Sequence, residues 1–114
     1  MPHFTIDCSP NVIVGKRVDE ILSEIHDTAD ATGLFKPSDI KVRLRPFEYY
    51  NVGNQRTDFI HIFAHIMEGR TTEQKADLSH RIVTKLKELF PNVPVISMNV
   101  YEFEKATYCN KGMI

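Results

Sequence analysis

Residues 59–75 read Phe59-Ile60-His61-Ile62-Phe63-Ala64-His65-Ile66-Met67-Glu68-Gly69-Arg70-Thr71-Thr72-Glu73-Gln74-Lys75. The run from Phe59 to Met67 is rich in β-branched and aromatic residues and predicts a strand. Ile60, Ile62, Ala64 and Ile66 fall on one face. Phe59, His61, Phe63, His65 and Met67 fall on the other, so both faces are apolar. Glu68-Gly69-Arg70 ends the strand. Thr71, with Gln74 in capping-box position, opens a helix. Leu78, Ile82, Leu86 and Leu89 continue its buried face, and Phe90-Pro91 ends it. Pro94–Glu104 reads as a further strand.

The same order appears in the first half of the chain. Pro2–Cys8 alternates weakly and reads as a short strand. Ser9-Pro10-Asn11 is a turn in which Ser9 or Asn11 is available to cap a helix. Val14, Val18, Ile21, Leu22, Ile25 and Ala29 form one helical stripe, and Gly33 is placed to stop it. Ile40–Arg45 alternates strictly, with Ile40, Val42 and Leu44 on one side and Lys41, Arg43 and Arg45 on the other. Asn51–Thr57 is a polar loop, and Lys105–Ile114 is a tail without a clear pattern.

The pattern is β-α-β, loop, β-α-β. It predicts an α+β fold of one domain over residues 1–114, with pseudo-repeats at about 1–50 and 58–104. Each crossover joins parallel strands, giving a four-stranded mixed sheet with two helices on one face. The other face carries Phe59, His61, Phe63, His65 and Met67. An apolar patch of that kind is unusual on a monomer, so identical subunits are expected to cover it in a closed cyclic oligomer.

Composition narrows the function. The chain has 114 residues, 42% hydrophobic and 25% charged, an ordinary globular mixture. A formal net charge of −1 offers no basic excess for nucleic acid. No apolar run is long enough for a membrane span, and the start does not read as a secretory signal. Cys8 and Cys109 are far apart in sequence and read as reduced thiols of a cytoplasmic protein. His61 and His65 would share a helix face, but four residues along a strand span roughly 13 Å. No metal site is therefore expected, and no cofactor motif is present.

Three features bear chemistry. Removal of Met1 would expose the secondary amine of Pro2, and cations or an apolar wall would lower its pKa. Such an amine could serve as a general base near neutral pH, although proline in second position also occurs without chemical consequence. Arg70, between strand end and helix start, could join backbone N–H groups in binding a carboxylate, or be a solvated surface arginine. Lys41, Arg43 and Arg45 repel one another, so they require water, an anionic ligand or acids such as Glu48, Glu102 and Glu104.

The start Met1-Pro2-His3-Phe4, the strand Ile40–Arg45 and the segment Glu68–Lys75 together resemble the tautomerase superfamily, and within it the 5-carboxymethyl-2-hydroxymuconate isomerases. The Glu68–Lys75 stretch is also similar to 4-oxalocrotonate tautomerase. The resemblance covers nearly the whole chain. It implies a duplicated β-α-β fold, a trimer, and catalysis of keto–enol interconversion by the N-terminal proline, without a cofactor, in aromatic catabolism. In 4-oxalocrotonate tautomerase the proline and the arginine belong to one short repeat. Here, ten residues back from Arg70 is Ile60 and ten forward from Pro2 is Val12. One half thus supplies the base and the other the anion clamp. The isomerase has an arginine at the position matching Lys41. Lysine keeps the charge but not the two-pronged grip, and Arg43 and Arg45 point the same way.

The expected function is a cofactor-independent isomerase of small anionic dienols or unsaturated 2-keto acids. Pro2 and Arg70 are its catalytic residues and Lys41, Arg43 and Arg45 its substrate-binding ones. The alternative is a non-enzymatic trimeric module binding a carboxylate or a protein through the same basic face.

Overall fold

The structure is a computed structural model describing residues 1–114. Strand β1 (His3–Cys8) leads through a short 3₁₀ turn at Pro10–Ile13 to helix α1 (Val18–Ala31), then strand β2 (Lys41–Pro46). The second half repeats the order with β3 (Phe59–Met67), α2 (Thr72–Leu89) and β4 (Val95–Phe103). The sheet order is β2-β1-β3-β4. β1 runs parallel to β2, β3 parallel to β4, and the two halves join through the antiparallel pair β1–β3. The fold is thus the four-stranded mixed sheet with two helices that the sequence predicts.

Period-2 alternation puts Phe4, Ile6 and Cys8 of β1 and Ile60, Ile62, Ala64 and Ile66 of β3 under the helices, all buried. Ile21, Ile25 and Ala29 of α1 and Leu78, Ile82 and Leu86 of α2 close over them in one core. Removing so many apolar side chains from water is the main stabilising term. Thr71 Oγ1 accepts from the Gln74 amide, and the Gln74 side chain accepts from the Thr71 amide, completing the capping box. No helix is long and apolar enough to cross a membrane.

Helix α1 differs from its sequence reading. It begins at Val18, and Val14 is 70% exposed just after the 3₁₀ turn. Pro10 starts that turn, and Gly15 at φ +68° breaks any continuity between turn and helix. Neither Ser9 nor Asn11 caps α1, whose N-cap is Arg17. The buried Ser9 hydroxyl instead donates to Asp58 Oδ1 at 2.9 Å and accepts from the Phe59 amide, tying the end of β1 to the start of β3. The tail, without a clear pattern in sequence, makes two 3₁₀ turns, at Lys105–Thr107 and Lys111–Met113.

Candidate functional site

Because β1 and β3 are antiparallel, the start of one lies beside the end of the other, with His3 opposite His65. Pro2, just before β1, and Arg70, just after β3, thereby line one cavity of about 300 Å³. Leu34, Phe35, Lys36 and Asp39 wall it from the segment joining α1 to β2. Met67 and Glu68 come from the end of β3, and Lys105 from the tail.

Arg70 is held rather than solvated. Its guanidinium donates to the Met67 carbonyl at 3.2 Å and the Leu34 carbonyl at 2.7 Å. Its Cζ also lies 5.1 Å from the centre of the Phe35 ring. No carboxylate pairs with it. A guanidinium has five N–H donors, so donors remain for an anion after the two carbonyls are served. Glu68 is occupied nearby: its Oε2 accepts the Lys105 amide at 2.7 Å, which fastens the tail to the cavity rim.

Pro2 is buried, and in the full chain its nitrogen is a tertiary amide bonded to Met1. The Met1 amino group stands 3.7 Å from an Asp39 carboxylate oxygen. Burial draws this amine below its ordinary value of 8.0, and Lys41 and Arg70 act in the same direction, against Asp39. The chain start therefore lies in an environment that penalises a positive charge. The Tyr108 hydroxyl reaches the Met1 sulfur, and the Tyr108 ring stacks on Phe103, so the tail folds over the same end of the sheet.

The three cations of β2 diverge. None of the three lines the cavity; Lys41 touches two residues that do, its amide donating to the Pro2 carbonyl and its Nζ to the Asp39 carbonyl at 2.8 Å. Arg43, in register with Thr5, reaches back to bond His3 Nδ1 at 3.1 Å. Burial, then Arg43 and Lys41, hold His3 below the ordinary imidazole range. Arg45 pairs with Asp7 at 3.7 Å and lies over Phe47. The acids considered from sequence, Glu48, Glu102 and Glu104, do not pair with these cations. Glu102 binds Lys75, at 2.5 Å. The face's acid is Asp7, on the neighbouring strand, which only the β1–β2 register reveals.

Sequence reasoning missed Lys36 and Lys105 as lining cations and Phe35 as the ring beneath Arg70. The only trace is the dipeptide Leu34-Phe35, which recurs as Leu89-Phe90.

Comparison with known proteins agrees with this architecture. The family model "5-carboxymethyl-2-hydroxymuconate isomerase" matches residues 2–114. The 5-carboxymethyl-2-hydroxymuconate Delta-isomerase of Escherichia coli is 24% identical over 92 residues, covering 79% of this chain and 73% of that protein. A crystal structure of a 5-carboxymethyl-2-hydroxymuconate isomerase from Deinococcus radiodurans R1 superposes with a TM-score of 0.84 at 22% identity, over 96% of this chain and 88% of that one. The F6 fused 4-OT wild-type asymmetric trimer superposes with a TM-score of 0.77 at 16% identity, over 96% and 93%. An isomerase, rather than a non-enzymatic binding module, is what such a full-length match supports. With its duplicated β-α-β sheet and a family match running from Pro2 to Ile114, the chain belongs to the 5-carboxymethyl-2-hydroxymuconate isomerase family of enzymes.

Proposed function

We propose that this isomerase, once Met1 is removed, uses the secondary amine of Pro2 as general acid and base on an anionic dienol or unsaturated 2-keto acid of the 5-carboxymethyl-2-hydroxymuconate type. The neutral nitrogen takes the enol proton, or one alpha to the carbonyl, and the same proton returns further along the conjugated chain. Protons balance, and no redox partner is required. Arg70 binds one carboxylate. Lys41, with Lys36 and Lys105 at the wall, draws the second carboxylate and steadies charge developing on the dienolate. Leu34, Phe35 and Met67 keep water sparse, which favours the uncharged amine. Arg43 and Arg45, tied to His3 and Asp7, contribute to the long-range positive field.

The observation that carries this reading is Arg70, fixed by two carbonyls and a phenyl ring, without an acidic partner, on the cavity that Pro2 also lines. The test has two parts. Intact mass of native material is expected to lack one methionine. Turnover of 2-hydroxymuconate-type dienols is then compared between wild type and Pro2→Ala. A large fall in the variant supports the reading; equal rates refute it.

The working unit is proposed to be a trimer joined through the open sheet face. There Phe63 stacks with Tyr101 and Tyr101 with His65, and Met67 is in register with Phe103. Two free cysteines, Cys8 buried and Cys109 exposed, suit the reducing cytoplasm.

A further inference from the structure

The Pro2–Arg70 cavity has a counterpart in the other half of the fold. Asp58 immediately precedes β3 as Pro2 precedes β1, and Lys16 stands two residues ahead of α1 as Arg70 stands two ahead of α2. Leu89-Phe90 ends α2, and Leu34-Phe35 comes shortly after the end of α1. Lys16 lies over the Phe90 ring at 5.7 Å, repeating the cation-on-phenyl contact of Arg70 with Phe35 at 5.1 Å. Lys16, Asp58, Leu89 and Phe90 line a second cavity of about 200 Å³, completed by Val12 and Val93 among others. The antiparallel β1–β3 pair produces both: the end of β1 meets the start of β3 on one side, and the start of β1 meets the end of β3 on the other.

The first cavity carries Arg70, Lys36 and Lys105 with the acids Asp39 and Glu68, of which Asp39 faces the Met1 amine and Glu68 accepts the Lys105 amide, whereas the second carries only Lys16 and Asp58. Where the first has the proline ring, the second has a carboxylate. Asp58 Oδ1 is engaged by the Ser9 hydroxyl at 2.9 Å, and no cation pairs with Asp58. Lys16 has no ion-pair partner either. The second cavity thus keeps a phenyl-backed cation suited to an anion, beside a fixed negative charge that opposes one. We propose that Asp58 closes this cavity to carboxylate ligands and so confines the anionic substrate to the Pro2–Arg70 cavity, making Asp58 a specificity-determining residue. The identity of the ligand rests on the function proposed above; the charge relation between Asp58 and Lys16 does not.

The experiment titrates ¹⁵N-labelled protein with cis,cis-muconate, a dicarboxylate without an enol, and follows backbone amides by NMR. Amides of Lys16, Phe90 and Val93 report the second cavity, and those of Leu34, Phe35 and Arg70 the first. In wild type the second set is expected to stay still. In Asp58→Asn, whose side-chain oxygen still accepts from Ser9, that set should respond saturably, with affinity raised at least about tenfold by loss of one like charge. Asp58→Ser should behave the same way and covers the case in which the amide variant fails to fold. Adding Lys16→Ala should abolish the response. Binding at the second set in wild type, or none in either Asp58 variant, overturns the proposal. Silence of the first set, with the second set responding in the variants, would instead count against the proposed function and leave this inference standing.

Discussion

Pro2 and Arg70 line one cavity of a single chain although one precedes the first strand and the other follows the third. Antiparallel pairing of β1 with β3 is sufficient to bring them there. The base and the anion clamp proposed here, split between the two halves, therefore need no domain closure to meet.

The hold on Arg70 is specific to a guanidinium. It bridges the Met67 and Leu34 carbonyls at once, which a lysine ammonium at the end of a flexible stem cannot reproduce while also gripping a carboxylate. Arg70→Lys is expected to lower kcat/KM for a dicarboxylate dienol about a hundredfold, mostly through KM. Steady-state kinetics measure this. Rates within a factor of two or so of wild type would mean that Arg70 serves only to fasten the 34–35 segment.

Glu68 accepts the Lys105 backbone amide at the cavity rim. The interaction with substrate would be through the lysine's solvent-accessible side chain, so Lys105→Ala should raise KM for the dicarboxylate several-fold with kcat little changed. Comparing a dicarboxylate dienol with a monocarboxylate analogue checks it: the effect should be confined to the former.

Helix α2 depends on its reciprocal cap. Thr71→Ala removes the acceptor for the Gln74 amide and should cost about 1 kcal/mol in denaturant unfolding. An unchanged midpoint would show that packing of Leu78, Ile82 and Leu86 alone fixes that helix end.

His26 gives a pH signature away from the site. Its ring meets Asp27 at 3.1 Å and the Pro37 carbonyl at 3.0 Å, and these contacts raise it above the ordinary 6.5. Because the folded value exceeds the unfolded one, the stabilisation is complete below the unfolded value and is lost as pH rises through the folded value. His26→Gln should therefore destabilise the protein at about pH 5.5, by less than about 1 kcal/mol for so exposed a pair, and hardly at about pH 8.5. Equal losses at both values would trace the effect to the neutral hydrogen bond.

Much of this was legible in the amino-acid order. Strict alternation in Ile40–Arg45 and the apolar run Phe59–Met67 define strands because side chains on a pleat point alternately to its two faces. Thr71 and Gln74 announce α2 through local hydrogen bonding. Val14 misled because its spacing fits the stripe of α1, while Pro10 and Gly15 fold the intervening residues into a separate turn. That turn also defeats the ten-residue count that pointed to Val12: the counterpart of Arg70 is Lys16, four residues later. Lys36 and Lys105 were invisible as site residues because their loops carry no period, and only tertiary pairing brings them to Pro2.

The proposed chemistry requires the nitrogen of Pro2, free and beside cations in a half-dry cavity, to be uncharged near neutral pH. The pH dependence of kcat/KM on material shown by mass to lack Met1 tests it most directly. The expected profile has a limb governed by a group titrating clearly below 8, the ordinary value for an α-amine, and absent from the residual rate of Pro2→Ala. A profile with no such group, or one that survives the substitution unchanged, would contradict it.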